Sequence, residues 1–126
     1  MNILLVDSDT AYSDNMVKCL QSAGNTVDTA KDVSDVAKHM DKQSYDVCIV
    51  DMLDNKKPDP RQYLNIISIS RACNIPCVVH TSLETASNDG VLPPNIPLLY
   101  KESTMRLDFV TRLHEILGLV ALRRSK

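Results

Sequence analysis

The chain has 126 residues, enough for one domain with its own core, and is 44% hydrophobic and 24% charged. A net charge of -2 gives no basic surface for nucleic acid, and no apolar run is long enough to span a membrane. The N-terminus, MNILLVDSD, has no basic segment ahead of its apolar run and no cleavage signal, which predicts a cytoplasmic protein.

Residues 2–6 (NILLV) form a short apolar run that reads as a buried strand, and it ends in Asp7, Ser8 and Asp9. Asp9 is a natural cap for a helix over 10–23, with Tyr12, Met16, Leu20 and Ala23 on one face and Gly24 as its stop. Residues 25–30 (NTVDTA) alternate weakly, as an edge strand does. Asp32 then opens a second helix with Val33, Val36, Ala37 and Met40 at helical spacing. Residues 46–50 (DVCIV) are a third strand, ending at Asp51 and followed by the polar loop DMLDNKKPDP.

Asp59 and Pro60 read as the cap and first residue of a helix reaching about Ala72. A fourth strand, 75–80 (IPCVVH), ends at Thr81 and Ser82, and a poorly patterned short helix fits 83–94. The fifth strand, 96–100 (IPLLY), ends at Lys101. A last helix over 104–122 carries Phe109, Val110, Leu113, Ile116, Leu117 and Val120, and a basic tail, 123–126, follows the domain at 1–122. Cys19, Cys48, Cys73 and Cys77 show no paired metal-ligand spacing and read as reduced, small buried side chains. His39 and His114 lie in predicted helices among polar residues, and His80 reads as a core or pocket-edge histidine.

Five apolar strands alternating with helices predict a parallel α/β sheet covered on both faces. In such sheets ligands bind at the carboxyl ends of the strands. Those ends carry Asp7 and Asp9, then Asp51, then Thr81 and Ser82, then Lys101. Converging carboxylates beside an amine suit Mg²⁺ and a phosphoryl group. In that chemistry Asp51 is the nucleophile, the ion and Lys101 neutralise charge, and Thr81 hydrogen-bonds the transferred group.

V-D-x-D after the first strand, Asp51 after the third, T-S after the fourth and K after the fifth resemble the motifs of response-regulator receiver domains, the signalling modules of two-component systems and chemotaxis. The resemblance spans residues 1 to about 120. It implies a flavodoxin-like (βα)5 doubly wound sheet of strand order 2-1-3-4-5. By resemblance, Asp51 is the phosphoacceptor, Thr81 the switch hydroxyl, Lys101 the phosphate-sensing lysine, and Asp7, Asp51 and the backbone carbonyl of Leu53 hold Mg²⁺. The implied function is regulatory rather than enzymatic. A histidine kinase or phosphotransfer protein phosphorylates Asp51, and a downstream protein reads the face of the fourth helix (83–94), fifth strand (96–100) and fifth helix (104–122), the α4-β5-α5 face. A homodimer is compatible with the resemblance, which implies no nucleic-acid or membrane partner.

Four departures qualify that expectation. Ser8 stands where the family has an acidic metal ligand, so a neutral hydroxyl replaces a carboxylate and Mg²⁺ affinity falls. Glu102 follows Lys101 where the family has proline, and a cis bond before a non-proline residue costs roughly 3 kcal/mol. The loop after Asp51 is remodelled and more polar than the family's compact turn, and Leu98 holds the position of the family's switch aromatic. These departures define the alternative, a pseudo-receiver that works by protein contacts without phosphorylation. A flavin or nucleotide enzyme of the same fold is disfavoured, because the loop after the first strand has no phosphate cradle.

Overall fold

The computed structural model describes residues 1–7, 10–51, 60–81 and 98–100, with Leu113, Glu115 and Gly118; for 10–13, 51, 60–63, 81 and 98–100 it describes the backbone. Eight elements with described bounds follow in chain order. They are β1 (Asn2–Val6), α1 (Thr10–Ser22), β2 (Thr26–Ala30), α2 (Val33–Lys42), β3 (Val47–Asp51), α3 (Pro60–Ala72), β4 (Cys77–Thr81) and β5 (Leu98–Tyr100). The five strands form one sheet of order β2-β1-β3-β4-β5, and every neighbouring pair is parallel. Among the described residues, no helix is long and apolar enough to cross a membrane.

Strand alternation divides the core into two layers. Ile3 and Leu5 of β1, Val47 and Ile49 of β3 and Val78 of β4 pack with Met16 and Leu20 of α1 and with the helical residue Leu113. Leu4, Val6, Cys48, Val50, Cys77 and Val79 point the other way, onto Val36 and Met40 of α2 and Ile66 and Ile67 of α3. Central strands covered on both sides need apolar residues at every position, which explains the unbroken runs ILLV and VCIV. Each such fully buried aliphatic side chain contributes roughly 1.5–3 kcal/mol. At the sheet edge, β2 buries only Ala30 of its five residues, so its weak alternation is that of a strand with one neighbour.

The helix ends are built by local hydrogen bonds. Asp32 caps α2 by accepting from Asp35 N at 2.9 Å, and Asp35 Oδ2 in turn accepts from Lys31 N at 3.2 Å. After α1, Gly24 N donates to Gln21 O at 2.9 Å and Asn25 N to Leu20 O at 3.2 Å, with Gly24 at φ +91. After α3, Asn74 N donates to Arg71 O and Ile75 N to Ser70 O at 3.1 and 2.8 Å, with Asn74 at φ 58. Both are Schellman stops, one with glycine and one with asparagine at the left-handed position.

The structure corrects three packing expectations. Ala23 lies in the turn beyond α1 and is exposed, because the Schellman stop reverses the chain there. Ala37 faces solvent, since Val36 and Met40 alone complete the buried stripe of α2. Cys48 and Cys77 are buried as expected, but Cys73 is exposed in the turn after α3 and Cys19 is half-buried. Asp9 and Asp59 as caps, the loop 52–59, the helix at 83–94, most of the helix at 104–122, and the tail 123–126 lie outside the described residues.

One cluster ties the β2 edge to the base of β3. Tyr45 is buried, and its hydroxyl donates to Asp28 Oδ2 at 2.7 Å while accepting from Gln43 Nε2 at 2.7 Å. Gln43 Nε2 also donates to Asp28 Oδ2. His39 Nδ1 lies 3.3 Å from the same hydroxyl; with that hydroxyl's one proton given to Asp28, the shared proton belongs to Nδ1. Burial first, then the Asp28 carboxylate, pushes the Tyr45 phenol up to about 12, against the opposing hydrogen bond from Gln43.

Candidate functional site

Strands β1 and β3 run in register through Leu5↔Ile49 and Val6↔Val50, so the next residues of each, Asp7 and Asp51, stand at the same level. Strand β4 continues the row, since Asp51 pairs with His80, and β5 extends it with His80↔Leu99 and Thr81↔Tyr100. The carboxyl edge of the sheet therefore presents Asp7, Asp51 and His80 side by side, with Thr81 one residue further along β4. The chain leaves β1 for one side of the sheet and returns to build β3 on the other, so Asp7 and Asp51 flank the topological switch point.

Alternation assigns a face to each position. Asp7 follows Ile3 and Leu5, and His80 follows Val78, onto the side covered by α1. Asp51 follows Ile49 and Val50 at the end of β3, and Thr81 follows His80 at the end of β4. Asp7 is only 4% exposed, and its backbone N–H donates to Ala30 O at 3.0 Å, which anchors the end of β1 against the edge strand. His80 is buried at 1% exposure.

A carboxylate this deeply buried needs charge compensation. A second carboxylate position beside it, at the switch point, makes an oxygen donor set of the kind a hard divalent cation takes while keeping several waters. The residues present therefore fit the Mg²⁺ expected from the sequence. Among the described residues, no group of three His, Cys, Asp or Glu side chains is gathered around a metal position. Ser8, Leu53, Ser82, Lys101 and Glu102 lie outside the described residues, and for Asp51, Thr81, Leu98 and Tyr100 the backbone alone is described.

Below the row, Cys48 and Cys77 are register partners on the α2–α3 face. A hydrogen bond to the Cys77 thiol and then burial raise the Cys48 thiol well above the usual range, opposed by a hydrogen bond from Ser70. Such thiols are inert packing groups.

No protein-family model matches the chain, and no curated protein matches it in sequence. Solved structures do match. A response-regulator receiver domain protein from Clostridium thermocellum superposes with a TM-score of 0.71 at 20% identity, over 96% of this chain and 97% of that one. The chemotaxis protein CheY4 of Vibrio cholerae gives 0.69 at 20% identity, over 91% and 97%. A receiver protein of Sinorhizobium medicae gives 0.68 at 20%, over 94% of both chains.

The chain has the response-regulator receiver fold. At these identities the likeness speaks for the fold, and it agrees with the strand order and helix placement described above. The receiver fold was legible from the strand ends in sequence. The position of His80 in the same row was not, because it depends on the register between β3 and β4, and no local pattern encodes that register.

Proposed function

We propose that this chain works as a receiver domain in two-component signalling, taking a phosphoryl group onto Asp51 from a histidine kinase or phosphotransfer protein in the cytoplasm. The observation that carries this reading is the placement of buried Asp7 in register beside Asp51 at the switch point of a receiver-fold sheet. An Asp51 carboxylate oxygen attacks phosphorus as the bond to the donor's nitrogen breaks, and an acyl phosphate results. Asp7, Asp51 and the Leu53 carbonyl would hold Mg²⁺, which supplies positive charge for the transferring phosphoryl oxygens.

Lys101 adds a second cation to the same oxygens, and the Thr81 hydroxyl closes on the new dianion, which shifts the chain around it. The output is a changed affinity for a downstream protein at the α4-β5-α5 face. The domain is regulatory, with self-phosphorylation and dephosphorylation as its only chemistry.

Ser8 and Glu102 favour a second reading, a pseudo-receiver that binds its partner without phosphorylation. Incubation with a small phosphodonor and Mg²⁺, followed by intact mass, separates the two. The receiver reading expects a gain of one phosphoryl mass that disappears in Asp51→Ala, whereas the pseudo-receiver reading expects no gain in folded protein.

A further inference from the structure

Cys48 and Cys77 are buried thiols that the phosphoryl chemistry above leaves unused. They are register partners on neighbouring parallel strands, and both lie on the α2–α3 side of the core. Neighbouring strands run about 4.8 Å apart, inside the roughly 4.4–6.8 Å between Cα atoms that a disulfide spans. The side chains already meet, since the Cys48 thiol is hydrogen-bonded to Cys77. Both are free thiols in this structure.

In the reduced form the pair packs inertly. Burial keeps bulky electrophiles out, while the Cys77 hydrogen bond and burial hold Cys48 protonated. That protection is one of access, and it leaves the two sulfurs side by side. Cys48 is fully buried and Cys77 is 6% exposed, so an oxidant the size of water meets Cys77 first. We infer that Cys48 and Cys77 are a reversible redox pair, closed into a cross-strand disulfide by hydrogen peroxide.

The Cys77 sulfur attacks one peroxide oxygen as the O–O bond breaks, and the departing hydroxide takes the thiol proton to become water. Cys77 is then a sulfenic acid. The Cys48 sulfur attacks the Cys77 sulfur, the S–O bond breaks, and hydroxide leaves with the Cys48 proton as a second water. The two sulfurs together lose two electrons, and the peroxide gains them. The new bond staples the strand that ends at Asp51 to the strand that ends at Thr81. In a reducing compartment it is transient. The inference stands independently of phosphoryl transfer.

The test treats the folded protein with hydrogen peroxide in native buffer, in a Cys73→Ser background that removes the exposed thiol. Remaining thiols are then capped in denaturant, and a tryptic map is read for linked peptides. The inference expects the Cys48 and Cys77 peptides to be joined, with Cys19 capped, and the link to open with dithiothreitol. At equal reagent concentration the link forms at least about tenfold faster than iodoacetamide labels either thiol in native buffer. Cys48→Ala, or Cys77→Ala if that variant does not fold, gives no link and shows the remaining thiol capped or oxygenated. Two unlinked, capped thiols after treatment of the folded parent overturn the inference. So does a link that forms only in denaturant, or one that forms no faster than iodoacetamide labelling, because the sulfurs would then meet only on unfolding.

Discussion

Tyr45 shows at the scale of one residue how a side chain with no role in sequence reasoning fixes the structure. Its hydroxyl joins Asp28, Gln43 and His39, drawn from β2, α2 and the segment before β3. Tyr45→Phe leaves Asp28 and Gln43 without that partner and costs about 1 kcal/mol in a denaturant melt. The phenol is also held protonated, with a folded value of about 12 against 10.0 for the free group. Its contribution is complete below pH 10 and is lost as pH rises towards 12, because there the unfolded chain binds fewer protons. Stability measured across that window falls more steeply in the parent than in Tyr45→Phe; equal slopes contradict the assignment.

The thiols follow the same logic of burial. Cys48 and Cys77 are buried free thiols hydrogen-bonded to each other, while Cys73 is exposed. A thiol reagent therefore modifies Cys73 rapidly in native protein and reaches Cys48 and Cys77 only on unfolding. His39 and Tyr45 were not legible as a pair, because positions 28, 39, 43 and 45 meet only once β2 becomes the sheet edge beside α2. Asp7 and Asp51 were legible, since a carboxylate ending an apolar strand is visible without knowing the register.

At the scale of elements, helix ends separate what local sequence encodes from what it leaves to tertiary structure. The Asp32 cap was readable, being an acid directly before a helical stripe, and its carboxylate accepts from Asp35 N while the Asp35 carboxylate accepts from Lys31 N. Asp32→Ala costs about 1 kcal/mol. The stop after α3 was less visible, because Asn74 rather than glycine takes the left-handed position at φ 58. A β-branched residue there pays the full conformational penalty, so Asn74→Val destabilises by about 1–2 kcal/mol more than Asn74→Gly, which keeps the left-handed backbone at no steric cost. Thermal melts of the two variants should therefore move apart, and a loss in both alike would mean that the Asn74 side chain, not its backbone, matters.

For the whole molecule, a two-layer core forces the parallel sheet and so collects the strand ends at one edge. Unbroken apolar runs in β1 and β3 made this architecture readable, and the weaker β2 pattern follows from its edge position. Which strand ends face each other was not readable, and that register is what sets His80 level with Asp51. The central claim is that this edge transfers a phosphoryl group to Asp51. Its most direct test is intact mass after incubation with a small phosphodonor, with and without Mg²⁺, in the parent and in Asp51→Ala. The account predicts one added phosphoryl group that requires a divalent ion and is absent from the variant. A folded parent that gains no mass at saturating Mg²⁺, or an equal gain in Asp51→Ala, would contradict it.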